Sequence, residues 1–250
     1  VQSAAPDSEI CMASDLMDGL LATKDEHALS LMRKVSEITD EAYIETQKHL
    51  RLGVTEQEIA LEVDYQFRKF GAEGNAFKTS VIITRPGDDP PTPGKRLQMG
   101  DSVVFDIGAV HSGYCSDFGR SAFAGEPPPE YLRAHELVLQ AQAAGMKAMK
   151  AGMVTCEQVL MAVQHVLREG GYGRYLIPAC GHAIGLTVHE MPLLFMGDTT
   201  IVQAGMTFTV EPTLRVPGHF SNRVEDVVLV TADGAQYLTN CSRELYIIAQ

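Results

Sequence analysis

The chain has 250 residues, 45% of them apolar and 21% charged, enough to bury the core of one large domain or of two closely packed halves. Its formal charge of −12 argues against a nucleic-acid partner, because phosphate binding needs a basic face. No stretch reaches the roughly 18 apolar residues that a membrane span requires, and residues 1–10 lack the basic start and apolar run of a signal peptide.

Five cysteines, at positions 11, 115, 156, 180 and 241, contain no CxxC pair, so a reducing, cytoplasmic setting without disulfides is expected. Residues 1–22 carry no clear pattern and are set apart as an N-terminal segment, with 23–250 as one domain. Thr23-Lys-Asp-Glu26 reads as a capping box, and Ala28, Leu31, Val35, Ile38 and Ala42 follow at helical spacing, predicting a helix to about Leu50. A second helix opens at Thr55-Glu-Gln-Glu58, places Ile59, Val63, Phe67 and Phe70 on one face and stops at Gly71.

About one hundred residues later the pattern recurs. A helix over 130–150 leads to Gly152, Thr155-Cys-Glu-Gln158 caps another with Val159, Val163 and Val166, and Gly170-Gly171 ends it. The repetition suits a pseudo-twofold domain, although helix hairpins commonly share such signals. Each helix pair is followed by strands, Ser102–Gly108 and Tyr114–Phe123 in the first half, Met206–Arg215 and Arg223–Thr231 in the second. Arg85–Lys95 is too rich in Pro and Gly for either element and is read as a loop.

The strands carry paired acids. Asp106 and Asp117 have their midpoint between His111 and Ser112, inside a credible turn, and a hairpin closing there sets the carboxylates opposite, with Cβ atoms about 5 Å apart. Glu211 and Glu225 centre on Gly218 in the same manner. Opposed like charges are destabilising unless a cation lies between them. Four carboxylates with a histidine form a hard ligand set suited to two divalent ions. Spacing alone leaves that reading level with four strand acids facing water.

Six motifs then occur in order: Val104-Phe-Asp-Ile-Gly108, Gly113-Tyr-Cys-Ser-Asp-Phe-Gly-Arg120, Gly181-His-Ala-Ile-Gly-Leu186, His189-Glu-Met-Pro192, Phe208-Thr-Val-Glu-Pro212 and Arg223-Val-Glu-Asp226. Together they resemble the pita-bread metallopeptidases (methionine aminopeptidase, aminopeptidase P and prolidase) over about residues 25–245. The resemblance implies an α+β fold of two pseudo-symmetric halves around a curved antiparallel sheet. It implies two divalent metal ions, Mn, Co, Fe or Zn, held by Asp106, Asp117, His182, Glu211 and Glu225, with Asp117 and Glu225 bridging. Glu211 would also be the general base. His189 would act in catalysis and substrate binding, and Arg223 would lie near the substrate. His111 and His219 are read as solvated turn residues, and Cys115 and Cys180 as packing residues.

The short gap between Glu211 and Glu225 and the Arg223-Val-Glu-Asp226 phrase are similar to aminopeptidase P and prolidase, which implies hydrolysis of short Xaa-Pro peptides. Two departures stand out. The 85–95 loop holds no histidine where such peptidases carry one and offers Asp88 and Asp89 instead, and Pro178 stands where the proline-specific enzymes carry another histidine. The alternatives are therefore a methionine aminopeptidase-like enzyme, a creatinase-like hydrolase or lyase acting on a cationic small molecule, and a metal-free binding module. The expected partner is a short peptide or small molecule, with a homodimer carried over from the family and neither nucleic acid nor membrane.

Overall fold

The computed structural model describes residues 3–4, 6, 13–88 and 92–249. Helices α1 (Ser14–Ala22), α2 (Glu26–Gln47) and α3 (Glu56–Lys69) lead into β1 (Gly74–Asn75), β2 (Ser80–Thr84), β3 (Ser102–Ile107), β4 (Ala109–His111), β5 (Tyr114–Cys115) and β6 (Phe118–Ala124). A second pair, α4 (Pro129–Ala148) and α5 (Cys156–Leu167), precedes β7 (Ala179–Ala183), β8 (Glu190–Phe195), β9 (Thr207–Val210) and β10 (Thr213–Val216). The chain closes with β11 (Phe220–Arg223), β12 (Asp226–Thr231), β13 (Gly234–Tyr237) and β14 (Tyr246–Ile248). No described helix is long and apolar enough to cross a membrane.

The pseudo-twofold repeat expected from the caps is present down to single hydrogen bonds. Thr55 and Glu58 cap α3 reciprocally, as Thr155 and Gln158 cap α5. The Gly53 amide donates to Leu97 O at 2.8 Å, and in the other half Gly152 donates to Val202 O at 2.7 Å. Leu97 and Val202 return bonds to Val54 O and Val154 O at 2.8 and 2.9 Å. Each capped helix is thus stitched to the strand-side loop of its own half by the same three-residue ladder.

Each helix pair packs on its own sheet. In the first half Ile38, Phe67 and Phe105 meet in one apolar core beneath the sheet ordered β14-β6-β3-β2. In the second, Tyr131, Val159 and Phe208 meet in another beneath β13-β12-β9-β7-β8. A smaller cluster including Met32, Ile184 and Val227 joins them. The four described cysteines, at 115, 156, 180 and 241, are buried and free, and Cys11 lies outside the described residues.

At the N-terminus the expected cap is displaced. Asp25, not Thr23, caps α2 by accepting the Ala28 amide at 2.8 Å. Thr23 instead forms a bridge to Met206, and the Lys24 amide donates to Gly205 O at 2.9 Å. The second half therefore claims the backbone that a capping box would have used.

The halves are locked by Arg120, which is 1% exposed. Its guanidinium donates to Asp226 Oδ1 and Glu225 O, both at 2.7 Å, and to Cys241 O at 3.0 Å. Asp226 is held in turn by Thr239, Arg243 and Gln142 at 2.7, 2.8 and 3.0 Å. Removing one member of a buried ion pair strands the other charge, so Arg120→Met should cost about 3–5 kcal/mol in urea denaturation. Thr155→Ala, which loses only a cap, should cost about 1 kcal/mol.

Candidate metal centre

The first carboxylate hairpin closes one residue later than its sequence midpoint. His111 pairs with Tyr114 across the two-residue loop Ser112-Gly113. Both loop residues have positive φ, 50° and 79°, the combination that a tight hairpin matching strand twist requires and that Gly113 adopts without cost. Asp106 therefore faces Gly119, not Asp117, which corrects the expected opposition. The partner moves by two positions, so Asp106 and Asp117 keep a common face; a shift by one would have separated them.

Gly119 creates the room above Asp106. A Cβ there would lie 2.8 Å from both Arg223 Cδ and Glu225 Oε2. The second hairpin has the expected register. Thr213 pairs with Arg223 and Val210 with Asp226, so Glu211 and Glu225 fall opposite each other between the two ladders. Both strands break at that level. The Glu211 amide donates to Cys180 O at 2.9 Å within the second half, whereas the Glu225 amide donates to Gly119 O at 2.9 Å and so draws the two halves together at the carboxylates.

A cavity of about 320 Å³ results, lined by Asp106, Asp117, His182, Glu211 and Glu225 together with His189 and Arg223. All seven residues singled out in the sequence thus converge. Asp117, His182 and Glu225, all buried, offer ligand atoms within 4.8 Å of one another. His182 Nδ1 is engaged by Ala183 O at 3.0 Å, which turns Nε2 toward Asp117 Oδ2 at 3.4 Å and Glu211 Oε1 at 3.8 Å. Arg223 reaches Asp106, Glu225 and Glu211 at 2.6, 3.4 and 3.5 Å, and Thr213 Oγ1 fixes its Nε at 2.9 Å. The ring of His189 lies 4.2 Å from that of His182.

The electrostatics are those of a crowded anionic pocket. Burial, with the neighbouring Asp106 and Glu211 charges, pushes the Asp117 carboxyl up to about 6 against the pull of His182. Burial, then Asp117 and Glu211, raises Glu225 well above the usual carboxylate range. Burial pulls the His182 imidazole down, but hydrogen bonding and attraction to Asp117 outweigh it and the net shift is upward. His189 moves down through burial and the nearby His182. Burial alone would lower Arg223, yet the carboxylates around it raise it further. Asp117 Oδ1 is buried with no hydrogen-bond partner among the described residues. An orphaned carboxylate oxygen among hard oxygen and nitrogen donors fits a divalent cation.

Other candidates separate cleanly. Asp88 is tied to Lys95 at 2.9 Å and does not line the cavity, and Asp89 lies outside the described residues. His219 is exposed at its hairpin turn. Burial pushes the Cys115 thiol up to about 11 and raises Cys180 as well, so neither supplies thiolate at neutral pH. The cavity also includes Phe77, Lys78, Ser80 and Val188, which the sequence did not mark. Ser80 is there because β2 pairs it with Asp106, a long-range register that no local pattern announces.

A sequence profile of metallopeptidase family M24 matches residues 30–232. The chain is 34% identical over 233 residues to an Xaa-Pro dipeptidase of Pyrococcus furiosus, covering 92% of this chain and 67% of that protein. The structure of an X-Pro aminopeptidase from Thermotoga maritima superposes with a TM-score of 0.92 at 34% identity, over 99% of this chain and 70% of that one. An Xaa-Pro dipeptidase from Bacillus anthracis does so with 0.91 at 33% identity, over 97% and 68%. The chain spans about two thirds of the length of these relatives.

The pKa pattern fixes the direction of a pH test. Asp117 lies above its ordinary 3.8, so it stabilises the metal-free fold below that value and loses the contribution as pH rises through about 6. His182, raised above 6.5, likewise loses its contribution as pH rises. Cation binding needs these groups deprotonated. Added Mn²⁺ should therefore raise the melting temperature more at neutral pH than at mildly acidic pH. Calorimetry below about pH 6 should register proton release on binding.

Proposed function

This chain belongs to metallopeptidase family M24, and we propose that it is a dinuclear-metal-dependent peptidase hydrolysing Xaa-Pro dipeptides. The observation that carries the reading is the convergence of Asp106, Asp117, His182, Glu211 and Glu225 on one cavity beside His189 and Arg223. These five residues would hold two divalent ions, Mn, Co, Fe or Zn, which when bound supply Lewis acidity, lowering the pKa of water and polarising the scissile carbonyl. The family relatives named for Xaa-Pro cleavage support the substrate class.

The chain's own groups then divide the work. The Glu211 carboxylate, 19% exposed and within 3.5 Å of Thr209 Oγ1, takes a proton from the attacking water and delivers it to the departing prolyl nitrogen. His189 stands at the cavity wall with its pKa lowered, so it is neutral at neutral pH and can donate a hydrogen bond to the oxygen on which charge develops. Arg223 offsets part of the carboxylate charge and orients Asp106 and Glu211.

The cavity mouth favours a dipeptide. Lys78 is exposed there and has no ion-pair partner among the described residues, whereas Arg223 is committed to three carboxylates. An ammonium so placed takes the free carboxylate of a C-terminal proline, with Phe77 as an apolar wall for the pyrrolidine ring. This supplies the anchor that the histidine-free 85–95 loop does not. Asp88, one of the two acids that a cationic small-molecule substrate would use, is paired with Lys95 and does not line the cavity.

The manganese-loaded protein should hydrolyse Xaa-Pro dipeptides, and Glu211→Gln should lower kcat by about 100-fold or more. Lys78→Met should raise KM for the dipeptide by about fivefold or less, the range of an exposed ion pair, and leave the C-terminal amide unaffected. Turnover of cationic small molecules in place of any peptide would overturn the assignment.

A further inference from the structure

His189 sits on an exposed turn, yet the residues on either side of it, Val188 and Glu190, are buried. An exposed side chain keeps its orientation only as well as its neighbours are anchored. Glu190 is anchored by Lys24, which comes from the segment before α2, far away in sequence. Lys24 Nζ and Glu190 Oε2 are 2.8 Å apart, and the two side chains are 3% and 4% exposed. The other Glu190 oxygen accepts the Thr187 amide at 3.2 Å, and Thr187 Oγ1 donates to His189 O at 3.1 Å. The Thr187–Glu190 turn is thereby closed on itself and clamped from below.

Gly185 leaves the space that the clamp occupies. A Cβ there would lie 2.7 Å from Lys24 Cε and 2.8 Å from Glu190 Oε1. The Gly185 carbonyl meanwhile accepts the Cys115 amide at 2.8 Å, two residues before Asp117. Lys24 is held from its own side by its backbone amide, which donates a hydrogen bond to Gly205 O at 2.9 Å. A buried ion pair contributes little net stability compared with apolar side chains of the same volume; here Lys24 and the Thr187 amide engage the two Glu190 oxygens separately and so set the orientation of its carboxylate.

We infer that Lys24 is a positioning residue: through Glu190 it fixes the Thr187–Glu190 turn and so aims His189 into the cavity. The inference rests on the proposed role of His189, and it makes the segment before α2 part of the active apparatus. Lys24→Met alone would strand the Glu190 charge and compromise folding. The test is the double variant Lys24→Met/Glu190→Gln, which removes both charges and keeps an oxygen to accept the Thr187 amide.

The metal-free double variant is first compared with the unmodified protein by NMR of ¹³C-labelled histidine at mildly alkaline pH. The His189 ring resonance, assigned with His189→Asn, should shift or broaden while the remote buried His135 stays in place. In the manganese-loaded enzyme kcat on an Xaa-Pro dipeptide should fall by at least about tenfold with KM nearly unchanged, as for a contact made only in the transition state. In a His189→Asn background the same double change should cost nothing further, because both act on one group. An unmoved His189 resonance, or losses that add in the His189→Asn background, would overturn the inference. If the unmodified enzyme hydrolyses no peptide, the function assignment falls, and the resonance comparison still decides whether Lys24 holds the turn.

Discussion

Asp117 and Glu225 are 4% and 1% exposed, face the same small cavity, and have Asp106 and Glu211 as neighbours. Charges of one sign brought together out of water repel each other and lose hydration at once, a combination that folding alone does not favour. Much of the surrounding architecture can be understood as compensation for that concentration. Arg223 spreads its guanidinium over three of the four carboxylates from the cavity side. Arg120 supports Glu225 from behind through its carbonyl and is itself neutralised by Asp226. What this arrangement does not satisfy is Asp117 Oδ1, and a cation is the partner that its chemistry fits.

The repeat explains how so many acids reach one point. Each half presents a helix pair, a stitched loop and a strand hairpin, and the hairpins meet where Gly119 and Glu225 exchange backbone hydrogen bonds. The two halves are alike in scaffold and different in the details of the carboxylate level. In the first, Ser112 and Gly113 set the register and Asp106 looks across at Gly119. In the second, the ladder is interrupted at Glu211 and Glu225, whose amides turn to Cys180 and Gly119. Symmetry gives the site its framework, and the breaks in it give each carboxylate its direction.

Most of this framework was legible in the sequence because local rules govern it. The capping boxes at Thr55 and Thr155 depend on residues three apart, and the second hairpin turns on Gly218 as its acids imply. The errors have equally local causes. The first hairpin closed one residue late because Ser112-Gly113 satisfies a turn with two positive φ values that carboxylate spacing does not encode. Thr23 lost its capping role to Asp25 because Met206, from the other half, bridges to it. Lys78, Ser80 and the Lys24–Glu190 clamp were invisible for a different reason. Their meaning lies in contacts across long stretches of chain, and a lysine in isolation reads as a solvated surface residue.

Asp117, His182 and Glu225 converge as candidate ligands, while the 85–95 loop holds no histidine and position 178 is a proline. Lys78 and His189 line the same cavity from different places in the fold, and the turn that carries His189 ends at the Glu190 paired with Lys24. The most direct measurement of the central claim is metal content by mass spectrometry after equilibrium dialysis against Mn²⁺, for the unmodified chain and for Asp117→Asn with Glu225→Gln. The expectation is two ions per chain, lost when Asp117 and Glu225 are both neutralised. No bound manganese in the unmodified chain, or full occupancy in the neutralised variant, would contradict it.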